Sequence, residues 1–188
     1  MKVRKLFAGI AAAATMLGGL ALGATTASAA EVNSISTISL YNASPDATYT
    51  AYRIAGYADP EYDATDTAKV TGISITKLND TVNTAVQEAA LAAWNAQNNT
   101  ELTTVPQPYQ DNAAAWVATW KTDENAAELR KFAENLATKT DQLGEGEELD
   151  TEHATRVTSG WYLVVSPESK PLLVGTGFYH KLDDGSTR

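Results

Sequence analysis

Hydrophobic positions along the chain change period twice. Ile35-Ser36-Thr37-Ile38-Ser39-Leu40-Tyr41 sets Ile38 and Leu40 against serine and threonine, the alternation of an amphipathic strand. Asn42-Ala43-Ser44-Pro45-Asp46 carries turn chemistry. Thr48-Tyr49-Thr50-Ala51-Tyr52-Arg53-Ile54, dense in aromatic and β-branched residues, predicts a second strand that joins the first in a hairpin. Asp59 to Lys69 is polar and acidic and reads as an exposed loop. Val70-Thr71-Gly72-Ile73-Ser74-Ile75 follows as a short third strand, with Gly72 at a bulge.

The middle of the chain switches to helical spacing. Leu78, Val82, Val86, Ala89, Ala90 and Ala93 form one stripe that Trp94 extends, starting from a cap at Asn79 or Asp80. Polar residues and two prolines, Pro106 and Pro108, break the pattern between Asn95 and Gln110. A second helix is expected over Asp111 to Lys121, turning Trp116, Val117 and Trp120 inward. A third is expected from Asp123, with Ala126, Leu129, Phe132, Ala133 and Leu136 as its apolar stripe.

The period then returns to that of strands. Asp141 to Glu152 is an acidic loop and Thr155-Arg156-Val157-Thr158 a brief strand. Ser159-Gly160-Trp161-Tyr162-Leu163-Val164-Val165-Ser166 is the strongest signal in the chain. A glycine able to take positive φ opens an unbroken apolar run that suits a strand covered on both faces. Alternation puts Trp161, Leu163 and Val165 on one face and Tyr162 and Val164 on the other. Pro167 ends that strand, and Lys170-Pro171-Leu172-Leu173-Val174 reads as its neighbour across a short turn. Strands, a helical block and strands again imply an α+β domain: an antiparallel β-sandwich-like, immunoglobulin-like fold with helices inserted between early and late strands.

The first 29 residues stand outside that fold. Lys2, Arg4 and Lys5 precede an Ala/Gly-rich apolar run, and Ala27-Ser28-Ala29 is a small-residue cleavage site, so residues 1–29 read as a secretory signal and 30–188 as one domain. The signal holds three of the 14 basic residues and none of the 23 acidic ones, leaving eleven against 23 and a mature charge of −12. That charge disfavours nucleic acid and anionic membrane as partners. With no cysteine in the chain, disulfides and thiol chemistry are excluded.

Candidate chemistry is sparse. His153 and His180 are the only histidines, and neither is framed by a nucleophile motif. Glu145, Glu147, Glu148 and Asp150 share one hydrophilic loop with nothing apolar to raise a carboxyl pKa. Asp59, Glu61, Asp63 and Asp66 could offer oxygen ligands. The calcium-loop pattern fails, however, with Ala64 where glycine is needed and Val70 at the closing position. Neither catalytic residues, nor a metal, nor a cofactor is expected. Trp94, Trp116, Trp120 and Trp161 fall on inward faces and read as core. Tyr57, Tyr62 and Tyr109 fall in expected loops and are the candidate surface contacts.

Thr48-Tyr49-Thr50-Ala51-Tyr52-Arg53-Ile54 taken with Ser159-Gly160-Trp161-Tyr162-Leu163-Val164 resembles the paired motifs of the N-terminal domain of sortase-assembled pilins. These are the shaft or fimbrial subunits of Gram-positive bacteria, including actinobacteria such as bifidobacteria. The resemblance spans Val32 to Val174, with Trp161 where the family carries tyrosine. It implies a cell-surface pilus subunit whose partners are other pilin subunits and a pilus-specific sortase. That sortase would join each subunit's C-terminal sorting motif to a lysine at the end of this domain. Tyr179-His180-Lys181 is the nearest match to the lysine motif, with histidine where proline is usual, which makes Lys181 the candidate acceptor. The absence of a sorting signal before Arg188 suggests a subunit truncated before further domains. Family domains with internal Lys–Asn or Lys–Asp crosslinks need a lysine on the first strand. Ile35 to Tyr41 has none, so no crosslink is expected. The expectation is a secreted, non-enzymatic structural domain. A surface adhesin domain binding host glycan or protein, and a secreted hydrolase, are the alternatives.

Overall fold

A computed structural model describes residues 32, 34–65 and 70–178. The expected signal peptide lies outside these residues, as does Lys181. The domain is α+β, with antiparallel sheets and a helical block between the early and late strands. In chain order the elements are β1 (Ile35–Ile38), β2 (Thr50–Tyr62), β3 (Val70–Thr76), α1 (Asp80–Asn98), α2 (Ala113–Val117), α3 (Ala126–Ala137), β4 (Glu147–Glu148), β5 (Thr155–Thr158), β6 (Trp161–Ser166) and β7 (Ser169–Gly175).

The main sheet runs β3-β2-β6-β7, with β4 added to β2. β6 is therefore a central strand, as its unbroken apolar run requires. Its two faces divide the interior as alternation predicts. Leu163 belongs to the larger core, with Trp161 and Val165 packed against it, and the helices cover this side. Tyr162 and Val164 belong to a second cluster with Ile38, Tyr49, Ala51, Leu149 and Val157. Because Ile38 sits on β1 and Val157 on β5, the small β1–β5 sheet covers the opposite face.

The expected β1–β2 hairpin does not form. β1 pairs instead with β5, Ile35 opposite Thr158 and Ile38 opposite Thr155. The reason is edge occupancy. Thr50 and Ala51 of β2 face Val165 and Val164 of β6 on one side and Glu148 and Glu147 of β4 on the other. β3 pairs with β2 further along, from Gly56 to Tyr62. The start of β2, where a hairpin from β1 would have to begin, is thus taken on both sides. The expected loop at Asp59 also differs, since β2 continues through Asp59-Pro60-Glu61 to Tyr62. The register slips between Ala58 opposite Ser74 and Glu61 opposite Gly72, and Asp59 takes up the one extra residue at φ 46°. Pro60, which has no N–H to donate, sits inside that bulge.

Helix ends follow local chemistry. The Asn79 side chain accepts from Val82 N–H at 2.9 Å and caps α1, and Asn99 closes it in the left-handed conformation at φ 51°. α1 buries a face of small residues, Ala85, Ala89, Ala90 and Ala93, which lets α3 pack close. There the Asn135 side-chain amide reaches the Ala89 carbonyl at 3.3 Å. α3 buries Leu129, Phe132, Ala133 and Leu136, while Ala126 is exposed. α2 is shorter than expected because past Val117 the chain goes on in tighter turns, Thr119 N–H to the Trp116 carbonyl and Trp120 N–H to the Val117 carbonyl. Asn112 caps its start. That side chain accepts from Ala115 N–H and donates to the Ile75 carbonyl at 2.7 Å, pinning the helix to β3.

Candidate functional site: the Ser159–Gly160 corner

Residues 159 and 160 carry the chain from β5 in the small sheet to β6 in the large one. Gly160 has φ +153°, and a Cβ there would stand 2.4 Å from the Ala55 carbonyl oxygen, so only glycine fits. The corner is held by buried and half-buried polar groups. Arg53 Nη2 donates to the Ser159 carbonyl at 2.6 Å, and Ser159 Oγ donates to the Val32 carbonyl at 2.6 Å. Gly160 N–H donates to Thr176 Oγ1 at 2.8 Å, while Thr176 N–H returns to the Gly160 carbonyl at 3.0 Å. The Tyr162 hydroxyl reaches back across the turn to the Thr158 carbonyl at 2.6 Å. Ser159 and Thr176 are both buried, a burial that their hydrogen bonds make tolerable.

Tyr57 joins this cluster and is not a surface contact. It lies in β2, is 1% exposed, and packs tilted against Phe178 at 5.7 Å between centroids. The loop expectation failed because β2 runs on past Ile54. Burial pushes the Tyr57 phenol well above its ordinary value, against the opposing pull of the Trp161 indole, the Thr176 backbone and the Arg53 charge. The phenol therefore stays protonated. Tyr62 ends β2, half-buried, its phenol also raised by burial. Tyr109 lies in the α1–α2 connection just after a cis Gln107–Pro108 bond and packs half-buried against the larger core. The three tyrosines are thus not brought together on one exposed surface.

The other candidates stay dispersed. Asp63 accepts from Thr65 N–H and Oγ1 at 2.8 and 2.6 Å, closing a local turn, and Asp66 lies outside the described residues. No group of three or more histidine or acidic side chains among the described residues is placed to hold a metal ion. In the acidic loop, Asp150 accepts from the N–H groups of Glu152 and His153. Those bonds, with His153 Nδ1 at 3.2 Å, hold its carboxyl below the usual range. A carboxylate so stabilised is a turn anchor and a poor general acid. His180 lies outside the described residues. Trp116 and Trp120 are buried and Trp94 half-buried, the three rings 5.1–5.6 Å apart, with Phe132 edge-on to Trp120. Trp161 is half-buried against the same core.

Sequence reasoning singled out Gly160 but missed Arg53, Ser159 and Thr176. Their roles come from contacts between residues 106 and 16 positions apart, and no local pattern announces those. Chemically the corner is a brace. Its one serine hydroxyl donates to a backbone carbonyl, and its arginine is committed to another. Compared with family models, curated proteins and solved structures, the chain has no match.

Proposed function

We propose that this chain is a structural module: the N-terminal domain of a sortase-assembled pilus subunit, exported and displayed on a Gram-positive cell surface, with no enzymatic activity. The observation that carries the reading is the pairing of the two motif strands. Thr50 to Ala55 lies against Trp161 to Val165, Tyr52 opposite Leu163 and Arg53 opposite Tyr162, at the centre of the sheet. Both motifs thus serve one buried ribbon, which is what a rigid building block needs. The polar groups around that ribbon are spent on holding a corner. We further propose that the two sheets form an immunoglobulin-like sandwich with inserted helices. The Tyr162 hydroxyl bonded to the Thr158 carbonyl supports this, because such sandwiches brace a corner with a tyrosine in the same manner.

On this reading Lys181 accepts the acyl group from the next subunit, and the partners are other subunits and the pilus-specific sortase. The test is to produce the complete gene product with its sortase in a Gram-positive host and look for ladders that survive boiling in detergent. Ladders that vanish with Lys181→Arg support both the polymer and the acceptor. Ladders that persist move the acceptor elsewhere. A product that remains monomeric beside an active sortase removes the reading.

A further inference from the structure

The first and last described segments meet at one corner of the domain. β1 is antiparallel to β5, so its leading end lies beside the end of β5. β7 is antiparallel to β6, so its trailing end lies beside the start of β6. Between them is the Ser159–Gly160 turn. The leading segment is tied there by Ser159 N–H to the Ser34 carbonyl at 2.8 Å and by Ser159 Oγ to the Val32 carbonyl. The trailing segment is tied by Thr176 to Gly160. Tyr57 touches both, its carbonyl accepting from Val32 N–H at 2.7 Å and its ring packing tilted against Phe178.

Tension between the two ends therefore acts at the tips of two antiparallel ladders. Ladder bonds loaded from a tip break in sequence and do not share the load. The two ladders are unequal. β1 has four residues and β7 has seven. Ile38 is the one apolar β1 side chain in a core, Ile35 being 51% exposed. β7 packs Leu173 against one core and Leu172 and Val174 against the other. A two-stranded sheet is marginal without packing, and segments with few buried contacts open at the lowest free energy. The connection after β1, from Ser39 to Asp46, is half-buried or exposed throughout, and the next fully anchored side chains are Ala47 and Tyr49.

We infer that β1 and the connection after it form a releasable strap. Tension peels residues 32–46 from the body while the main sheet and its helices stay folded. Release uncovers the apolar face built from Tyr49, Tyr162 and Val164, so the strap couples pulling to exposure of that face. The inference rests on the chain's own topology and stands apart from the pilus reading.

The test is optical-tweezers extension of the full chain, held by peptide tags at its two termini. The expected trace has a reversible first lengthening of about 50 Å, the span of roughly fifteen extended residues, before the body unfolds. A second protein carries Thr37→Cys and Arg156→Cys. These residues are exposed and face each other across the β1–β5 pair, and the chain has no other cysteine. Oxidation should cut the first step to about 17 Å, the span of the roughly five residues ahead of the crosslink, and keep the second, and reduction should restore the full first step. A single rupture of the whole domain with the strap unlocked, or a first step that keeps its full length after oxidation, overturns the inference.

Discussion

Replacing Gly160 by alanine tests the corner directly. The backbone there, at φ +153°, belongs to a region that costs a side-chain-bearing residue about 1–3 kcal/mol. The new Cβ would also stand 2.4 Å from the Ala55 carbonyl and 2.9 Å from Arg53 Nε. The carbonyl belongs to the β2 backbone and cannot swing away. Moving the arginine puts its 2.6 Å bond to the Ser159 carbonyl at risk, a charge-assisted bond worth about 1.5–3 kcal/mol. Together the effects amount to about 3–5 kcal/mol. With a urea slope of about 2 kcal/mol/M, the unfolding midpoint should fall by roughly 2 M. The assay is urea denaturation followed by tryptophan fluorescence, since Trp161 adjoins the substitution. Gly144→Ala is the control: Gly144 has φ +84° with nothing within 4 Å of a Cβ, so it incurs only the left-handed backbone penalty of about 1–2 kcal/mol. Equal losses in the two variants, or a Gly160→Ala midpoint that stays at the wild-type value, would refute the close-contact reasoning.

Two further outcomes follow from the core and the buried phenol. Phe132→Ala removes a fully buried ring that sits edge-on to Trp120. It should cost about 3–5 kcal/mol and shift the tryptophan emission of the folded protein; unchanged emission would show that the ring does not pack there. The Tyr57 phenol is raised above its ordinary value of 10.0 by burial, so the stability linked to its protonation is complete below that pH and lost as pH rises above it. Thermal melts from about pH 8 to pH 11.5 should show wild type losing stability more steeply above about pH 10 than Tyr57→Phe. The slope should shrink without vanishing, because the Tyr162 phenol is also raised by burial. Parallel curves would mean that Tyr57 is not buried.

Much of the architecture is legible in local pattern. The α1 stripe and its Asn79 cap, the inward face of α3, the two-faced β6 and the short turn into β7 each follow from spacing and from residues with strong backbone preferences. The misses have a common origin. The β1 alternation is genuine, yet alternation says nothing about partner, and β1 went to β5 because the start of β2 is already paired with β4 and β6. Asp59-Pro60 looks like a strand terminator, yet pairing with β3 carries β2 through it by a bulge. Tyr57 consequently passed from presumed loop to core.

By itself the sequence determined where the helices and most of the strands lie, how the side chains of β6 divide between two faces, and that the chain turns at Gly160 before β6. Those properties depend on side-chain spacing and on single-residue backbone freedom, which are written locally. Tertiary structure alone decided that Arg53, Ser159, Thr176 and Tyr57 meet at one corner, and that the first and last described segments are tied there side by side. Such meetings depend on which strand edges remain open once the sheet has assembled, and that competition is settled only by the whole chain.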